Sequence, residues 1–186
     1  MAGEIANRAA AARWKWKTEK ARAALIAEFA SRGQRLAGEW CDLDESTRLG
    51  DGAERLGPAA DRIGQRWSTK RQLVEALEAG ESALRRLGVV YVLVMDAPDA
   101  GWSKIRGEVV SADLARAAGE WLTDGFIAFL PDAASLLSVD VEEKGGVSFI
   151  ETTLIGDGFG ELRARFVERG PMPQEVLDGP SGPNLN

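Results

Sequence analysis

Histidine is absent from this 186-residue chain, and cysteine occurs once, at Cys41. Without histidine there is no Ser-His-Asp triad, no Cys-His dyad, no His-ligated metal and no imidazole general base. A single cysteine excludes an internal disulfide framework and any multi-cysteine zinc site. No apolar run reaches the roughly 18 residues that a membrane-crossing helix requires. Met1-Ala2-Gly3-Glu4 lacks the basic start and long apolar stretch of a secretory leader, and Glu4, Glu19 and Glu28 do not suit an organellar transit peptide. One cysteine and no leader make the cytoplasm the expected compartment.

The rest of the composition is ordinary for a globular protein, with 45% hydrophobic and 28% charged residues. The length suits one domain that buries its own core without metals or staples. Charge is uneven. Residues 1–40 carry eight Lys/Arg against four Asp/Glu, whereas residues 88–186 carry seven against sixteen, within a net −6. A basic arm and an acidic body are expected, either as two faces of one fold or as a surface for a partner.

Gly3 to Trp40 reads as a long helix, rich in Ala, Arg, Lys and Glu. Trp14, Leu25, Phe29, Leu36 and Trp40 keep one face of a 3.6-residue period, but Gly33 and Gly38 weaken the last turns, and a break is expected near Ser31-Arg32-Gly33. Trp16 lies about 200° around the helix from Trp14. Residues 41–57 read as a polar connection with no more than a short helical turn. Pro58 opens a second helix carrying Ile63 and Trp67, and Thr69-Lys70-Arg71-Gln72 has capping-box spacing, with Ser68 as a rival cap. A further helix with Leu73, Val74, Leu77, Leu84 and Leu87 as its stripe stops at Gly88.

The pattern changes after Gly88. Val89 to Met95 is a continuous apolar run, expected as a central strand buried on both faces. A short helix from Ser111 to Leu122 follows, with Leu114, Ala118 and Trp121 on one face, and then a strand from Phe126 to Leu130. Leu137, Val139 and Val141 alternate with Ser138, Asp140 and Glu142. This half-exposed strand should turn at Lys144-Gly145-Gly146 and return from Val147 to Ile155. Phe159 to Arg169 alternates like a strand closing the sheet, although Phe159, Leu162 and Phe166 also fit a helix. The expected class is α+β. A helical hairpin of two or three helices (residues 1–87) lies on or beside a small, mostly antiparallel sheet with one short helix (88–169). A Pro/Gly-rich extended tail (170–186) ends the chain.

Few constellations carry chemistry. Pro131-Asp132 with Glu142-Glu143-Lys144 has the residues of a Mg²⁺-dependent nuclease pattern: Asp132 and Glu142 for the ion, Lys144 for charge near the attacking water, and Asp140 as a further ligand. A solvated hairpin explains the same residues. Asp96 and Asp99 follow the central strand, where a metal could sit, but Asp is also an ordinary turn residue. Gly156-Asp157-Gly158-Phe159-Gly160 is glycine-rich without the Lys-Ser/Thr of a phosphate loop. Cys41, beside Asp42 and Asp44, is a poor nucleophile.

Arg13, Lys15, Lys17, Lys20 and Arg22 interleave with Trp14 and Trp16. Tryptophan and arginine anchor protein interfaces, and cations with indoles also suit nucleic acid. The leading expectation is a non-enzymatic, cofactor-free interaction subunit: an adaptor, inhibitor, immunity or assembly component of a bacterial or phage complex. It would bind another protein or its own copies, away from membranes, through Arg13, Trp16, Lys17 and Lys20. A nuclease using Asp132, Glu142 and Lys144, and nucleic-acid binding through the basic helix, are the alternatives.

Overall fold

A computed structural model describes residues 2–36, 38–56, 62–67, 74, 75, 77, 81–131, 134–144, 147–160 and 162–164. The fold is α+β, with helices on both faces of a seven-stranded sheet in which every pairing is antiparallel. The chain enters through helix α1 (Ala2–Ser31), strand β1 (Glu39–Trp40), helix α2 (Leu43–Leu56) and strand β2 (Arg62–Trp67). Helix α3 (Glu81–Arg86) and strand β3 (Val89–Val94) follow, then a 3-10 turn at Pro98–Ala100 and strand β4 (Ser103–Arg106). Helix α4 (Gly107–Val109) runs through a π turn (Val110–Leu114) into helix α5 (Ala115–Glu120). Strands β5 (Gly125–Phe129), β6 (Leu136–Lys144) and β7 (Val147–Ile155) complete a meander. The spatial order is β1-β4-β3-β5-β6-β7-β2, so both outermost strands come from the first half of the chain.

The β6–β7 hairpin has the expected bounds. Lys144 pairs with Val147 and Leu136 with Ile155, while Gly145 and Gly146 lie outside the described residues. Val139 is fully buried and Val141 partly so on one face; Asp140 is half-buried on the other, and Glu142 is exposed. Period-two alternation turns Val139 and Val141 to one face of the sheet and Asp140 and Glu142 to the other. Gly125 opens β5 at φ 99, where any side chain would collide with the Val139 carbonyl, so only glycine suits that close approach.

Two apolar clusters sandwich the sheet. Leu25 and Phe29 of α1, with Val110, Leu114, Ala117 and Ala118, pack on Val90, Val92, Val94, Phe126, Leu137, Val139, Ile150 and Leu154. On the other face Leu49 of α2, with Ala53 and Leu56, packs on Tyr91, Leu93, Ile127, Phe129, Leu136 and Ile155. The central strand is therefore buried unequally. Val90, Val92 and Val94 are buried, Tyr91, Leu93 and Met95 are half-buried, and Val89 is 47% exposed. Short α2 covers less of its face than the helices opposite, which corrects the expectation of burial on both sides.

Several local readings are also corrected. Helix α1 ends at Ser31, at the expected break, so Leu36 and Trp40 leave its face and Trp40 pairs in β1. The polar connection is α2, fourteen residues long. Asp42 caps it by accepting the Glu45 amide at 2.8 Å, and Leu49, Ala53 and Leu56 make an i, i+4, i+7 stripe despite two glycines. Ile63 and Trp67 lie in strand β2 rather than a helix, paired with Leu154 and Ile150 of β7. The helix near Ser111 begins earlier, at Gly107. Leu162–Ala164 are helical rather than extended, because Phe159 and Leu162 enter the same core at i and i+3. The proposed cap at residues 68–72, with Leu73, residues 165–169 and the expected tail (170–186) lie outside the described residues.

Candidate functional site

Helix α1 offers the sheet a narrow stripe. Trp14 is half-buried and Thr18, Leu25 and Phe29 are buried, whereas residues 11–13 and 15–17 are all exposed. The C-terminal end is anchored firmly. Phe29 meets Trp121 edge-on at 5.0 Å, and the buried Gln34 amide accepts from Trp121 Nε1 at 2.8 Å while donating to Glu120 at 3.0 Å.

The structure divides the four expected partner-binding residues. Trp16 is 67% exposed, with Lys20 Nζ 5.6 Å from its ring centre, and Arg13 is exposed on the same side. Lys17 instead reaches Asp99 at 2.8 Å and ties the helix to the Pro98–Ala100 turn. Arg13, Trp16 and Lys20 thus form an open surface, and Lys17 belongs to the seam between helix and body.

A second feature escaped the sequence reading. Arg22 lies on the packed side of α1 and donates from Nε to Ala100 O at 2.9 Å and from Nη2 to Cys41 O at 2.8 Å. Its guanidinium stands 4.9 Å from the Trp40 ring centre and 6.0 Å from that of Trp14. Beside it opens a hollow of about 500 Å³ between α1 and the start of α2; a smaller one of about 350 Å³ adjoins it, sharing Trp14, Thr18 and Leu43. Ser46 Oγ is buried at the smaller hollow with no hydrogen-bond partner among the described residues. The available signal was a cation eight residues from Trp14, on the face that also carries Leu25 and Phe29.

Cys41 lies under this junction, fully buried. Burial and the nearby Glu45 carboxylate push its thiol up to about 12. Glu45 also accepts from Tyr91 Oη at 3.3 Å and pairs with Lys104 at 3.1 Å. Burial alone would raise the Glu45 carboxyl, but hydrogen bonds from Lys104, Cys41 and Tyr91 hold it below its ordinary value. The group pins α2 to β3 and β4 and leaves no thiolate near neutral pH. We expect native protein at pH 8 to react with a thiol-specific disulfide reagent at least a hundredfold more slowly than urea-unfolded protein. Equal rates would show that the thiol is accessible.

Asp96 and the glycine-rich segment have structural roles. Asp96 accepts from Thr123 N and Oγ1, both at 2.6 Å, and from the Asp124 and Gly125 amides at 3.0 and 3.1 Å. A carboxylate so occupied holds a turn. In the glycine-rich segment, Gly158 N donates to Ser135 Oγ at 2.9 Å, and a side chain at Gly158 would strike Leu130 and Ser135. Its amides serve packing there. Glu142 is exposed near the hairpin end and Asp140 accepts from Ser138 Oγ at 2.8 Å; Asp132 and the Lys144 side chain lie outside the described residues. Among the described residues no three His, Cys, Asp or Glu side chains gather to hold a metal, and no helix is long and apolar enough to cross a membrane. Comparison with family models, curated proteins and solved structures finds no match.

Proposed function

We propose that the chain is a non-enzymatic protein-interaction subunit that docks through the outer face of α1, with Trp16 as the anchor and Arg13 and Lys20 beside it. One observation carries this reading: an indole 67% exposed on a helix whose packed stripe lies on the opposite side. An exposed tryptophan contributes little to the isolated fold, yet tryptophans desolvated by a partner are among the strongest interface anchors. Charge favours protein over nucleic acid. Lys17 is already paired with Asp99, and Lys15 lies 3.9 Å from Glu19, so few cations remain for phosphates.

Trp16→Ala should change unfolding free energy by no more than about 0.5 kcal/mol. The same variant should weaken partner binding by about 2 kcal/mol. Differential scanning calorimetry reads the first, and affinity capture by wild type against Trp16→Ala reads the second. A variant that melts several degrees lower would make Trp16 a packing residue and end the proposal.

A further inference from the structure

The exposed side of α1 carries a pattern that the core does not use. Ala12, Trp16, Glu19, Ala23, Ile26 and Ala30 recur at spacings of 4, 3, 4, 3 and 4, and all six are exposed. The same spacing runs back in the sequence through Ala9 to Ile5. This is the a/d rhythm of a coiled-coil seam. It lies opposite the core stripe of Trp14, Thr18, Leu25 and Phe29. Trp16, at 67%, and Ile26, at 43%, are two of the four large hydrophobic side chains left exposed among the described residues.

The positions bordering such a seam select the partner. Here Arg13 and Lys20 are exposed cations on one border, while on the other Lys15 is shared with Glu19, Arg22 turns inward to Ala100 and Cys41, and Phe29 is buried in the core. The acid within the seam, Glu19, faces Lys15. Two copies of α1 laid together would set cation against cation. A lipid surface is a poor match too, since half of the seam is alanine and offers little apolar area to an acyl layer. Alanine lets another backbone approach closely, and the tryptophan then fills the wider gap.

We propose that this seam receives one amphipathic helix from another protein, with apolar residues facing Trp16 and Ile26 and Glu or Asp along the border that faces Arg13 and Lys20. The proposal rests on the reading of α1 as an interface and names the partner's chemistry.

The test uses the full chain and two synthetic helices that share Leu/Ala seam positions but carry Glu or Lys at the borders. Fluorescence anisotropy should show the Glu peptide binding at least tenfold tighter than the Lys peptide, with the preference shrinking as salt rises. Trp16→Ala should weaken the Glu peptide roughly thirtyfold. Ala23→Arg adds a favourable charge to an exposed helical position, so loss of binding there reports a blocked seam. Equal binding of the two peptides, or none at millimolar concentration, overturns the acidic-helix proposal. If Trp16→Ala then still releases a captured protein, the interface reading survives while this one fails. A homodimer dissolved by Trp16→Ala in sedimentation velocity, or Trp16-dependent binding to anionic vesicles, would assign the seam to another occupant and overturn it equally.

Discussion

Val92→Asp is expected to give a chain with no cooperative thermal transition and no near-ultraviolet circular dichroism. Val92 is 1% exposed in β3, with Ser103 of β4 on one side and Ala128 of β5 on the other. A carboxylate there would be desolvated among the apolar side chains of the larger core cluster. Such burial costs several kcal/mol, against a total stability of about 5–15 kcal/mol for a domain. Val89→Asp supplies the control. It lies on the same strand but is 47% exposed, so a change of no more than about 1 kcal/mol is expected. A folded Val92→Asp protein with a near-native melting temperature would show that β3 is not the centre of the sheet.

Asp96→Asn should cost about 2–3 kcal/mol, and the loss should depend on pH. Burial alone would raise the Asp96 carboxyl, but hydrogen bonds from Thr123, Asp124 and Gly125 hold it below the ordinary 3.8. A depressed native value makes the ionised form the stabilising one. The contribution is complete above the unfolded-state value and fades as the pH falls through the native one. Urea titrations at pH 7 and pH 3 should therefore show the gap between wild type and Asp96→Asn narrowing at the lower pH. A gap of constant size would mean that shape, not charge, holds the turn.

The strands with strict alternation or continuous apolar runs could be read from sequence because their side chains see only two environments. The β6–β7 hairpin is the clearest example, with Val139 covered and Glu142 in water. Misreadings arose where tertiary contact overrode local preference. Ile63 and Trp67 sit four apart, as on a helix, but pairing with β7 draws them into a strand. Glycines at 50 and 52 argued against α2; the smallness of Gly52 is what admits the Phe129 ring beside it. For α1, the two apolar stripes point in opposite directions. A reader seeking one core-facing side finds Trp14, Leu25 and Phe29 and treats Trp16 as an oddity. Arg22 was passed over because a cation is assigned to solvent by default, and its partners are backbone carbonyls that no side-chain pattern reveals.

The placement of β1 and β2 at the two outer edges bears on how the chain is made. Arg62 of β2 pairs with Ile155 of β7, about half the chain length away. During synthesis β2 leaves the ribosome long before its partner exists, and its backbone donors and acceptors wait in water until β7 arrives. Loop closure over that span is slow compared with local hairpin formation, so β3–β4 and β6–β7 have the kinetic advantage. A nascent chain stalled before residue 147 would present β6 as an open edge with β2 still unpaired. Both are templates for intermolecular strand addition. Truncation from the C-terminal side should therefore yield aggregates rather than a smaller folded unit, since the last strand closes a sheet edge begun in the first half of the chain.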